Sequence, residues 1–145
     1  MYKHILIPTD GSALSLMAVR EGMTLAKSLN ARVTALTVSP TFRTVTVDPV
    51  MVVDTEEQYR EDCAAAAARY LAAVAESAKV LGVACEGVHV VNDHPYQAII
   101  ETGQSRGCDL IFMASHGRRG VAALLLGSET TKVLTHSKIP VLVYR

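Results

Sequence analysis

Cysteine is scarce in this chain. Cys63, Cys85 and Cys108 stand far apart, with no C-x-x-C pair among them. An odd, scattered set speaks against a disulfide framework and offers no zinc-site spacing. All three have apolar neighbours in sequence and read as small packed hydrophobes. His4, His89, His94 and His136 also lack metal-ligand spacing among themselves. Long apolar runs are missing too: residues 64–68 and 121–126 fall far short of the ~20 a membrane helix needs, so no membrane contact is expected. Neither charge sign is in excess, with 14 basic and 14 acidic side chains. That balance disfavours a general nucleic-acid or anionic-lipid surface, and no nucleic-acid partner is expected. The opening Met1-Tyr-Lys-His-Ile5 has no signal-peptide layout, which makes the cytoplasm the expected compartment. Two common phosphate motifs are absent: there is no G-x-x-x-x-G-K-[ST] loop and no G-x-G-x-x-G after the first strand. The first turn also lacks the Ser-Gly-Gly-x-Asp-Ser run of pyrophosphate-releasing synthetases.

What remains is a chain able to build a core. Half of its 145 residues are hydrophobic and the mean hydropathy is +0.25, which places it among globular proteins. That length fits one domain, residues 1–145, burying roughly two-thirds of its unfolded surface. Ile5-Leu-Ile-Pro8 is a continuous apolar run of the kind buried on both faces of a parallel sheet. Thr9-Asp-Gly-Ser12 stops it and offers Ser12 as a helix cap. Leu14, Met17, Ala18, Leu25 and Leu29 then recur at helical spacing, with Asn30 as a left-handed stop. Arg32-Val-Thr-Ala-Leu-Thr-Val38 is a second strand, completing a right-handed crossover.

Residues 39–54 contain Pro40 and Pro49 but also two apolar stretches. So long a connection packs over the sheet edge, a ligand or a partner chain, and the sequence leaves the three open. From Thr55 to Leu81 the pattern is helical, ended by Gly82. A third strand runs to Val91. Asn92-Asp-His94 then caps a helix with Pro95 in its first turn. Asp109 to Met113 form strand four, Ser128 opens a last helix, and Ile139-Pro-Val-Leu-Val-Tyr144 is the final strand. Five strands alternating with four helices predict an α/β fold: a five-stranded, mainly parallel sheet with helices on both faces. Ligands of such sheets sit at the carboxyl ends of the strands, where strand order reverses.

The stretch Met113-Ala-Ser-His-Gly117-Arg-Arg-Gly120-Val-Ala-Ala-Leu-Leu-Leu-Gly127-Ser128 carries the chemistry. A strand end, a glycine-bearing loop and a new helix start together favour an anion, because unpaired N–H groups and the helix dipole point the same way. Arg118 and Arg119 suit phosphate. His116 is the one histidine placed for acid–base chemistry, but no carboxylate partner is identifiable for it in the sequence. Ser12 belongs to no G-x-S-x-G elbow, so nucleophilic hydrolysis is not expected. The bland alternative is that the glycines only shape a strand-to-helix connection.

These segments resemble the universal stress protein family across essentially the whole chain. The likeness rests on Ile5-Leu-Ile-Pro-Thr-Asp-Gly-Ser12, on His116-Gly-(nine)-Gly-Ser128 and on the closing Lys138-Ile-Pro-Val-Leu-Val143. Nucleotide-binding members typically carry G-x2-G-x9-G-[ST]. Gly117, Gly127 and Ser128 match its second part, while Ala114 replaces the first glycine. The resemblance implies a Rossmann-like fold of the adenine nucleotide alpha hydrolase type, binding ATP or AMP with Mg²⁺ as an optional companion. It places Asp10 at the ribose or a metal, Val38 at the adenine through its backbone, and Gly117, Gly127 and Ser128 at the phosphates. Pro8, Thr9, Met113, Ala114, His116, Arg118, Gly120, Glu129 and Thr130 complete the implied surface. It further implies a homodimer through the last strand, in line with two-fold dimers being the commonest oligomers. Two other functions stay open: a dimeric interaction module without nucleotide, motivated by Ala114, and a weak ATP hydrolase, motivated by His116 and the arginines.

Overall fold

Ile5, Leu6 and Ile7 point alternately to opposite faces of a sheet covered on both sides, and all three are fully buried. The computed structural model describes residues 1–43, 55–117 and 125–145. The expectations for residues 44–54 and for Arg118, Arg119 and Gly120 lie outside the described residues. In chain order the elements are β1 (His4–Pro8), α1 (Ala13–Leu29), β2 (Arg32–Ser39), α2 (Glu56–Leu81), β3 (Cys85–Val91), α3 (Pro95–Ser105), β4 (Leu110–Ala114), α4 (Ser128–His136) and β5 (Val141–Tyr144). The sheet order is β3-β2-β1-β4-β5 and every pairing is parallel. The chain builds outward from β1 to β3, then returns through α3 to place β4 on the other side of β1. Strand order therefore reverses between β1 and β4, and a crevice opens at their carboxyl ends.

On one face Ile5, Ile7, Val33, Ala35 and Phe112 pack against α1 and α2 through Ala18, Val19, Met23, Ala26, Val74 and Ala78. On the other, Leu6, Leu36, Ile111 and Met113 meet Ile99 of α3 and Val133 of α4. The helix ends follow local chemistry. Ser12 accepts from the Ser15 N–H, and Asn30 (φ 52°) and Gly82 (φ 68°) close α1 and α2 in the left-handed conformation.

Three details correct the sequence reading. Met17 is 47% exposed, because the core stripe of α1 runs through Ala18, Val19, Gly22, Met23 and Ala26. Small residues there let the helix lie close to the sheet: a Cβ on Gly22 would stand 2.7 Å from Ile7 Cδ1. The last strand starts at Val141 and not Ile139, since the Ser137 hydroxyl bonds both the N–H and the C=O of Ile139 and turns the chain before Pro140. Asn92 and Asp93 do not cap α3. Asn92 accepts from His94 N–H, and Asp93 accepts from the backbone and hydroxyl of Thr41 and from Arg43. Those contacts, led by the Thr41 hydroxyl, bring the Asp93 carboxyl down to about 2.

At the amino end of the sheet a polar chain runs inward from the surface. Arg106 pairs with Glu86 at 2.9 Å, and Glu86 accepts from the Thr34 hydroxyl at 2.9 Å. Thr34 Oγ1 lies 2.7 Å from His4 Nε2. With the hydroxyl proton directed to Glu86, Thr34 is placed to accept from His4 Nε2–H. Among the described residues, Nδ1 is buried without a hydrogen-bond partner. Burial, and then the Arg32 guanidinium, hold the His4 ring below its ordinary 6.5, outweighing Glu86, Asp109 and the Arg106 backbone. The unfolded chain thus takes up this proton more readily than the native one. The His4 contribution is whole above about pH 6.5 and is lost as pH falls toward the lower native value. Wild type is therefore expected to lose more stability than His4→Gln between about pH 7 and pH 5. Denaturant melts at both pH values read this directly, and parallel losses would refute it.

All three cysteines are free. Burial pushes the Cys108 thiol up to about 11 and raises Cys85 as well. Cys108 should consequently resist thiol reagents at neutral pH until the chain is unfolded. Labelling of native Cys108 at the rate of a free thiol would contradict this.

Candidate functional site

The turn after β1 is held from several sides. Thr9 N–H donates to Leu36 O at 2.8 Å, Thr37 Oγ1 donates to Thr9 O at 3.0 Å, and Thr9 Oγ1 lies 2.6 Å from Ser15 Oγ. Gly11 has φ 76°, and the Tyr70 ring of α2 occupies the space its side chain would need. This turn delivers Asp10. One carboxylate oxygen accepts from Ser12 N–H at 2.9 Å, while the other abuts Gly117, where any Cβ would run into it. Gly117 is thus required for close approach between the β1 turn and the β4 loop.

The β4 side is braced at the root of its loop. Ser115 N–H donates to Tyr144 O, and Ser115 O accepts from Gly127 N–H, both at 2.7 Å. A Cβ on Gly127 would stand 3.1 Å from His116 Cα, so glycine is needed there for packing, and its own N–H is already used. Thr130 is buried and its hydroxyl donates to Ala114 O at 3.0 Å. Gly127 is the N-cap of α4 and supplies no side-chain cap. The first-turn N–H groups of Ser128 and Glu129 find no acceptor among the described residues.

The structure therefore brings together Asp10, His116, Gly117, Gly127 and Ser128 at the mouth of the β1/β4 crevice. Pro8 ends β1 just behind them. Val38 stands one strand over, half-buried at the end of β2 on the face that carries Leu36 and Ile99. Thr9, Met113, Ala114 and Thr130 are buried behind the crevice. The Ala114 methyl group packs in the core cluster of Phe112 and Ala18, near the Tyr144 ring. Glu129 turns aside: its Oε2 accepts from Tyr96 N–H of α3 at 2.9 Å. Two contributors escaped the sequence reading. Ser115 is buried between the strand and the loop, and the hydroxyl of Ser15 ties Thr9 to the Asp10 N–H at 3.2 Å.

Chemically the mouth offers a carboxylate at one end and an uncapped helix start at the other. That pairing suits a ligand with hydroxyls on one part and negative charge on another. His116 Nδ1 lies 3.1 Å from the buried Ser115 hydroxyl, and no carboxylate orients it among the described residues. No cluster of three metal-ligating side chains occurs among the described residues either.

A family model described as the universal stress protein family matches residues 1–145, the whole chain. The chain belongs to that family. Universal stress protein MJ0531 of Methanocaldococcus jannaschii is 32% identical over 148 residues, covering 100% of this chain and 83% of that protein. The solved structure of MJ0577, from the same organism, superposes with a TM-score of 0.81 at 27% identity, covering 99% of this chain and 95% of that one. A universal stress protein solved in complex with cAMP gives a TM-score of 0.71 at 25% identity, covering 99% and 97% of the two chains. The α/β fold built on this five-stranded parallel sheet is thus shared with the two solved structures. No helix among the described residues is long and apolar enough to cross a membrane.

Proposed function

We propose that this universal stress protein binds an adenine nucleotide, ATP or AMP, in the β1/β4 crevice and acts in the cytoplasm as a dimeric stress-response regulator. The observation that carries the reading is the Asp10 carboxylate set against Gly117, in front of the uncapped start of α4. A related universal stress protein holds cAMP, which supports an adenine nucleotide as ligand. In this reading Asp10 takes the ribose hydroxyls or a Mg²⁺, and the backbone at Val38 meets the adenine. Gly117, Ser128 and the first turn of α4 hold phosphate, with His116, Arg118 and Gly120 around it. Pro8, Thr9, Met113, Ala114 and Thr130 contribute backbone or support. Free thiols agree with a reducing compartment. β5 is an edge strand whose Leu142 is 40% exposed, which suits pairing with a second copy.

Thermal melting with and without nucleotide tests the proposal. Ligand at a hundred times Kd stabilises by about 2.7 kcal/mol, or roughly 5–10 °C at this length. No shift with millimolar ATP, AMP or cAMP, with or without Mg²⁺, would remove the nucleotide reading, and a monomer by sedimentation would remove the dimer. The rival interaction-module reading makes Ala114 the obstacle to binding. Its methyl group lies in the core, however, so Ala114→Gly should lower stability by about 1 kcal/mol and leave affinity unchanged. Affinity that appears only in the glycine variant would favour the module.

A further inference from the structure

Each of the four helices among the described residues follows a strand of a parallel sheet, so each begins at the carboxyl edge. Three receive a side-chain acceptor on the first turn. Ser12 serves the Ser15 N–H of α1 at 3.3 Å, and Thr55 serves the Gln58 N–H of α2 at 3.1 Å. His94 caps nothing on α3, and Glu129 reaches across from α4 to take Tyr96 N–H. A glutamate in the first turn ordinarily favours its own helix start. Here the α4 carboxylate is committed to a neighbouring helix, and the α4 start has no side-chain acceptor among the described residues. Lys132 steadies the arrangement, with Nζ 3.4 Å from Glu129 Oε1 and 5.4 Å from the centre of the Tyr96 ring.

We propose that Glu129 is a specificity-determining residue: a fixed negative charge beside the α4 start that disfavours nucleotides in proportion to their phosphate charge, partly offset by Lys132. This rests on the reading that phosphates lie at the start of α4. Two charges about 10 Å apart with water between them shift binding roughly two- to threefold per added unit charge. Metal-free ATP carries about two charges more than AMP, so Glu129 lowers the ATP/AMP preference about fivefold. A carboxylate in direct contact with the ligand would act on all nucleotides alike through the part they share, whereas one acting through space separates them by charge.

The test is calorimetric binding of AMP, ADP and ATP, without divalent cation and at low ionic strength, to wild type, Glu129→Gln and Lys132→Met. Glutamine keeps a carbonyl for Tyr96 N–H and removes only the charge, so unliganded melting of this variant should stay near wild type. Glu129→Gln is expected to tighten ATP about fivefold more than AMP, with ADP between them and the difference shrinking as salt is added. Lys132→Met should move the ratio the other way. An ATP/AMP ratio unchanged in Glu129→Gln while nucleotides still bind overturns the role of Glu129 alone. Failure of all three nucleotides to bind wild type or variant overturns the nucleotide reading and this inference with it.

Discussion

Replacing Gly117 by alanine should leave the fold standing and weaken adenine-nucleotide binding by roughly 10–100-fold. The added Cβ meets Oδ2 of Asp10 and displaces the carboxylate, which sits on a short side chain. Gly117 is exposed, and its φ lies outside the left-handed region that glycine alone favours, so the unliganded protein loses little stability. What moves is the group proposed to hold the ribose or a metal. Losing charge-assisted hydrogen bonds of about 1.5–3 kcal/mol gives the stated factor. Asp10→Asn should show a similar loss, and combining the two changes should add little, because both act on one contact. Calorimetric Kd values beside ligand-free melts decide it. Unchanged affinity in Gly117→Ala would separate the loop from the site.

The second large effect concerns stability. Thr34→Val should destabilise by about 2–4 kcal/mol, lowering the midpoint by roughly 5–15 °C. Valine fills the same space and suits a strand, so neither packing nor propensity accounts for the loss. It arises because Thr34 is the partner of His4 Nε2, and Nδ1 has none among the described residues. Without the hydroxyl, both nitrogens of a buried ring are unpaired. Thr34→Ser keeps the hydrogen bonds and drops one methyl group, at about 1 kcal/mol. If valine were no worse than serine, the polar chain would contribute nothing to stability.

What the sequence disclosed was what neighbouring residues decide among themselves. Ser12 and Asn30 bracket α1 because a hydroxyl and a left-handed stop act within one turn. The apolar run at Ile5 disclosed a doubly covered strand in the same way. Gly117 and Gly127 were legible as loop glycines, although the contacts with Asp10 and His116 that require them were not. Three features depended on distant chain. Glu129 accepts from Tyr96 N–H, 33 residues earlier in the chain, and no spacing rule reaches that far. The helical periodicity of residues 55–81 did not disclose that the Tyr70 ring would press on Gly11. Met17 kept helical spacing yet faces water, because Gly22 draws the opposite stripe of α1 onto Ile7 and Phe112.

The bond from Gly127 N–H to Ser115 O, with the Thr130 clasp on Ala114 just beneath it, makes residues 116–126 a graft position. The ends of that stretch are joined by the framework whatever lies between them. Lengthening such a closed connection adds only about 0.6 kcal/mol for each doubling. Descendants of this chain are thus free to exchange the stretch for longer or differently charged ones while β4, α4 and the sheet stay as they are.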